Sequence, residues 1–142
     1  MAVRLSHEQL EGILRHGEET YPHECCGILL GGMEGETRVV AEAVKMRNAN
    51  TTSPWNRFDF DPKEHLDVQK RARQQGHEIV GFYHSHPDHP ARPSVFDLDH
   101  APWPGYSYMI VSIAKGRGMD ANSYELADDR THFIQEEIET AG

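Results

Sequence analysis

Glu78-Ile79-Val80-Gly81-Phe82-Tyr83-His84-Ser85-His86-Pro87 is an extended run in which Ile79 and Val80, then Phe82 and Tyr83, place bulky apolar groups on both faces. A strand that is apolar on both sides has to be covered on both sides, so this stretch predicts the central strand of a sheet lying between other layers. Pro87, Pro90 and Pro93 end it, because proline cannot donate to a ladder. Upstream, Asp61 can cap a helix with Pro62 at its first position, ending before Gly76, and Phe58 to Phe60 reads as a short strand. Arg47 to Asn56 follows neither period and predicts a loop. Cys25 to Leu30 and Thr37 to Val44 read as a strand pair around a glycine-containing turn. Ser6 with Gln9 resembles a capping box, and Leu10, Ile13 and Leu14 recur at helical spacing, so a first helix is expected from about Ser6 to Glu19, with Pro22 limiting its continuation. Downstream, Ser94 to His100 suggests a short helix, followed by strands at Tyr106 to Ile113, Asn122 to Ala127 and Thr131 to Glu136. The sum is an α/β sandwich whose mixed sheet is flanked by two main helices. With 142 residues, no internal repeat and no Gly/Ser linker, a single domain over residues 1–142 is expected.

Composition narrows the function. The formal charge of −9, from 14 basic and 23 acidic residues, argues against a general nucleic-acid binder, which needs clustered Lys and Arg. Apolar runs such as Gly27-Ile28-Leu29-Leu30 fall far short of the roughly 20 residues a membrane span needs. The N-terminal segment turns polar at once, so no secretory signal is expected and the location is read as cytoplasmic. Cys25 and Cys26 are adjacent, a spacing that forms neither a disulfide scaffold nor a C-x-x-C pair, and packing is the role expected of them. Ten histidines invite a search for metal-ligand spacing.

That spacing occurs at the end of the opening stretch. Residues two apart on a strand share a face, so His84 and His86 can present both imidazoles to one ion, while Ser85 faces the other way. A carboxylate from the next element would complete a three-ligand set and leave a fourth tetrahedral position for water, as in catalytic zinc sites. Asp97, in the first turn of the short helix, is the best-placed candidate; Asp99, His89 and His100 compete on composition alone. Taken singly, a His-x-His on a strand also suits packing, and Ser94-x-x-Asp97 also suits a helix cap.

His84-x-His86-Pro87, seven residues between His86 and Ser94, and two between Ser94 and Asp97 together resemble the H-x-H-x₇-S-x-x-D signature of the JAMM/MPN+ metallopeptidases. Pro22-His23-Glu24-Cys25-Cys26-Gly27-Ile28-Leu29-Leu30-Gly31 is similar to the early strand on which that family carries a glutamate. The resemblance alone raises Glu24 above an ordinary solvated glutamate. It implies a cytidine-deaminase-like α/β/α fold and one Zn²⁺ on His84, His86 and Asp97. It further implies Glu24 as the acid/base and Ser94 as the donor to the oxyanion, in hydrolysis of a peptide or isopeptide bond.

Within the resembled family, compact members act on ubiquitin-like sulfur-carrier proteins, and this chain leaves little room for long insertions beyond 47–56 and 88–93. The expected partner is a carrier with a C-terminal Gly-Gly, a tail thin enough to enter a narrow site as an extended strand. The rivals are an amidohydrolase of small amides and a non-catalytic scaffold of the same fold. A zinc deaminase would need H-x-E with a later P-C-x-x-C, which is absent. Monomer and homodimer are both compatible with the sequence.

Overall fold

Helix starts follow the local chemistry of the chain. The Ser6 hydroxyl accepts the N–H of Gln9 at 3.0 Å while the Gln9 side chain accepts the N–H of Ser6 at 2.8 Å, a reciprocal cap that opens α1 (His7–Thr20). Asp61 accepts from the N–H groups of Lys63 and Glu64, and Pro62 supplies the first residue of α2 (Pro62–Gln74), after which Gly76 takes a φ of +76°. The structure is a computed structural model, and it describes residues 1–101 and 103–141. Its strands are β1 (Ala2–Leu5), β2 (Cys26–Glu34), β3 (Thr37–Met46), β4 (Glu78–Pro87), β5 (Ser107–Ala114), β6 (Arg117–Leu126) and β7 (Phe133–Thr140), with a short α3 (Val95–His100) after β4.

The strands form one mixed sheet in the order β1-β3-β2-β4-β5-β6-β7. It closes on itself because β1 pairs in parallel with both β3 and β7. Among the described residues only β4 and β5 form another parallel pair; β2 with β3, β2 with β4, β5 with β6 and β6 with β7 are antiparallel. The fold is α/β with a mixed sheet and helices packed on it. Two differences from the sequence reading stand out: the four-residue β1 was not anticipated, and Phe58 to Phe60 is irregular rather than a strand. Their rings pack against each other and against neighbouring aromatics, so apolar character there reflects burial at the site and not sheet pairing.

β4 is central, between β2 and β5, and apolar on both faces. Val80 and Tyr83 join the core that also holds Val3, Ile13 of α1 and Val111, whereas Phe82 joins the core holding Ile28 and Val68 and Ala72 of α2. Strict alternation would not send Ile79 and Phe82 to one core and Val80 and Tyr83 to the other. A one-residue shift of register, with Leu29 opposite Gly81 and Leu30 opposite Ile79, resets the phase. Beyond it, alternation runs unbroken and sets His84 and His86 on the face of Phe82, with Ser85 on that of Tyr83. Gly27 has to be glycine here: a Cβ at that position would come within 1.9 Å of the Tyr83 ring. Away from the histidines, where Gly81 pairs with Ser107, buried Arg38 of β3 donates to Glu125 of β6 and, at 3.3 Å, to Glu136 of β7. Ser123 donates to the other oxygen of Glu136 at 2.6 Å.

Candidate metal centre

The end of β4 and the start of α3 bring three donor groups together. Nε2 of His84 lies 3.3 Å from Oδ1 of Asp97, Nε2 of His86 lies 3.0 Å from Oδ2, and the two Nε2 atoms are 3.1 Å apart. Ser94 and Asp97 reciprocally cap α3, the Ser94 N–H donating to Asp97 Oδ2 at 2.8 Å and the Asp97 N–H to Ser94 Oγ at 3.0 Å. Chain reversal at Pro87 to Pro93 thus delivers the carboxylate to the strand end, and the cap holds it there. His86 Nδ1 lies 3.0 Å from the carbonyl of Pro90; donating its proton there leaves the lone pair on Nε2, facing the centre. The Phe58 ring stacks on His84 with centroids 4.7 Å apart.

Burial pushes His84 below its ordinary value, and the bond and charge of Asp97 offset this only in part, so its imidazole is neutral near pH 7. Burial lowers His86 as well, but Asp97 and the Pro90 carbonyl outweigh it and the net shift is upward. Burial raises Asp97, yet the two neighbouring histidines prevail and hold its carboxyl well below the usual carboxylate range.

Glu24 stands two residues before the start of β2 and is buried, 4% exposed, with no partner for Oε1. Burial pushes its carboxyl up to about 8, opposed by the charge of His86 and assisted by that of Asp97. A carboxyl group in that state keeps its proton near pH 7, and its Oε1 is a buried polar atom of the kind that is costly to leave unsatisfied. Its backbone is pinned: the Glu24 N–H donates to Pro54 O at 2.7 Å, and the Asn48 side chain donates to Glu24 O at 3.2 Å and to Arg57 O at 3.0 Å. The Asn48 oxygen in turn accepts from Asn50 and Asp59, so one carboxamide ties the loop after β3 to the glutamate. Sequence reading did not single out Asn48 or the Pro90 carbonyl, because their partners are backbone atoms that only folding brings near.

Two cavities share the centre. One of about 520 Å³ is lined by Glu24, His86 and Ser94 together with Arg57, Arg92 and Phe96. The other, about 300 Å³, meets His84 and Asp97 with an aromatic wall that includes Phe58, Phe82 and Trp103. Other sequence candidates fall elsewhere. His89 only lines the first cavity, His100 bonds the carbonyl of Phe96 at 2.9 Å, and Asp99 is exposed. Cys25 and Cys26 are buried and free, each in a different core, with their thiols pushed up by burial, Cys25 to about 12. Ser85 Oγ accepts the N–H of Cys25 at 2.8 Å on the far side of β4.

The residues fit a metal. The two Nε2 atoms lie 3.1 Å apart with one Asp97 oxygen beside each, and a single cation would accept a lone pair from all three side chains. Among the described residues this is the one group of three or more His, Cys, Asp or Glu side chains so disposed, with donor atoms within 4.8 Å of one another. No described helix is long and apolar enough to cross a membrane.

Comparison with known proteins places the chain in a family. Residues 6–126 match the family of prokaryotic homologues of the JAB domain. The chain is 35% identical over 114 residues to a desampylase of Haloferax volcanii, covering 78% of this chain and 80% of that one. It is 32% identical over 120 residues to a CysO-cysteine peptidase of Mycobacterium tuberculosis, covering 84% and 79%. A solution structure of a Desulfitobacterium hafniense protein superimposes with a TM-score of 0.85 at 32% identity, covering 99% of this chain and 93% of that one. The chain belongs to the prokaryotic JAB-domain family and is a JAMM-type hydrolase.

Proposed function

We propose that this chain is a zinc peptidase or isopeptidase that hydrolyses the bond following the C-terminal Gly-Gly of a ubiquitin-like or sulfur-carrier protein. The observation that carries the reading is the meeting of His84, His86 and Asp97 beside a buried Glu24 whose Oε1 has no partner. The names of the Haloferax and Mycobacterium relatives, a desampylase and a CysO-cysteine peptidase, support the substrate class.

In this reading His84, His86 and Asp97 hold one Zn²⁺ per chain. When bound, zinc lowers the pKa of a coordinated water from 15.7 to about 7. Glu24 takes the proton of the attacking water as its oxygen adds to the Gly carbonyl carbon. As the C–N bond breaks, Glu24 returns that proton to the departing amine. Burial lifts the carboxyl of the metal-free protein above the ordinary carboxylate range, in the direction that suits a proton shuttle. Ser94 Oγ already accepts the Asp97 N–H, and its own proton remains free to donate to the oxyanion. The two roles of Ser94, cap and donor, are compatible because one uses a lone pair and the other the hydrogen. Glycines without Cβ let the substrate backbone approach a centre walled by Phe58 and Phe96. Cys25 and Cys26, free and buried, suit a reducing compartment, and we place the enzyme in the cytoplasm.

The test is hydrolysis of a carrier protein extended beyond its Gly-Gly, read by mass spectrometry, beside a panel of small amides. Cleavage after Gly-Gly that stops with chelator and returns with zinc is expected. Turnover of the small amides alone would overturn the carrier reading.

A further inference from the structure

The first cavity carries positive charge that the mechanism above does not use. Arg57 and Arg92 both line it, and Glu24 is the sole acidic residue among its lining. Among the described residues the arginines with a carboxylate within 4.0 Å are Arg4, Arg15, Arg38, Arg47 and Arg71; neither Arg57 nor Arg92 has one. Arg73, Arg117 and Arg130 lack one as well, but Arg57 and Arg92 are the two that line one cavity together, and in a chain of net charge −9 such a pair would suit an anion. Arg57 is also held in position. Its guanidinium carbon sits 4.3 Å from the centroid of Phe96, and its backbone carbonyl accepts from Asn48, the residue that also pins Glu24.

Chemistry decides which part of the substrate lies there. Glu24 returns its proton to the departing amine, so that amine occupies the cavity Glu24 lines, and this is the cavity of Arg57 and Arg92. The aromatic cavity, which touches His84 and Asp97 but not Glu24, is left for the acyl side. When the leaving group is a single amino acid, its α-carboxylate is two bonds from the departing nitrogen. When it is a lysine side chain within a protein, no carboxylate lies so near.

We propose that Arg57 and Arg92 recognise the free α-carboxylate of the residue released, so that the enzyme prefers to trim one C-terminal amino acid from a Gly-Gly tail over cutting an isopeptide bond. This rests on the function proposed above. Guanidinium groups suit the task because they present paired N–H donors to a carboxylate and stay charged at any working pH.

The experiment uses the zinc-loaded enzyme and one carrier protein in three forms: ending Gly-Gly-Ala as the free acid, ending Gly-Gly-Ala as the C-terminal amide, and joined through Gly-Gly to the lysine Nζ of a peptide. At low ionic strength kcat/KM for the acid should exceed that for the amide and the isopeptide by about tenfold or more, a ratio that shrinks as salt is raised. The double variant Arg57→Gln/Arg92→Gln should bring the acid-to-amide ratio close to one, while Arg57→Lys/Arg92→Lys keeps part of it. The variants are needed because a bound cation also attracts carboxylates and would sustain the ratio without either arginine. Equal rates for acid and amide with the unaltered enzyme overturn the inference even if a variant fails to fold, and leave the peptidase reading standing. So does a ratio that survives in the double Gln variant. Failure to cleave all three forms would overturn the peptidase reading itself, and this inference with it.

Discussion

The backbone N–H of Ser94 donates to Oδ2 of Asp97, the same oxygen that lies 3.0 Å from Nε2 of His86, so the carboxylate that closes the cap of α3 also faces the histidine pair. The helix cap therefore aims the acid at the pair.

Replacement of Ser94 by Ala separates its two roles by magnitude. Loss of a cap costs about 1 kcal/mol of stability. Loss of an oxyanion donor costs on the order of 100-fold in kcat or more. A fall in kcat of that size with only a small drop in urea midpoint is expected for Ser94→Ala. A variant losing stability but not kcat would leave Ser94 as a cap alone.

Glu24→Gln keeps size and burial while removing the proton carrier. Because the residue is not among the three proposed ligands, zinc content measured on untagged protein should stay at the level of the parent. Turnover should fall by on the order of 1,000-fold. Retention of most of the rate would assign the proton to another group.

Stability of the metal-free protein should depend on pH through the same residue. Its carboxyl is held at about 8 in the fold against an ordinary value of 4.5, so between these values the folded chain keeps a proton that the unfolded chain has released. The contribution is thus fully present below the unfolded value and is lost as pH rises through the folded one. At about 1.4 kcal/mol per unit, a loss of a few kcal/mol is expected, read as a falling denaturation midpoint. Glu24→Gln should flatten the slope; an equal slope in both proteins would contradict the assignment.

Removing the charge of Arg38 should be costly in a way unrelated to catalysis. Arg38→Met leaves Glu125 and Glu136 buried without their shared cation, and a loss of about 3–5 kcal/mol is expected from denaturant unfolding. Adding Glu125→Gln should recover part of it. If the single variant were as stable as the parent, the buried network would not be what joins β3 to β6 and β7.

Much of the fold and the ligand spacing could be read from the chain because they depend on local chemistry. Capping at Ser6 and Asp61, the apolar faces of β4, the two-residue spacing of His84 and His86, and the cap that carries Asp97 all involve residues a few positions apart. Glu24 was legible only through a family resemblance, since its burial and its unpartnered Oε1 arise from packing against segments far along the chain. Tertiary structure alone decided the closure of the sheet, because four residues at Ala2–Leu5 become a strand only when β3 and β7 supply hydrogen-bonding edges on both sides. It also decided the phase of β4, set by a register shift against β2, the hold of Asn48 on Glu24, and the gathering of Arg57 and Arg92 around one cavity. Spacing along a strand or helix turn is inherited from backbone geometry, whereas contacts between distant segments exist only after the chain has closed its loops around a common core.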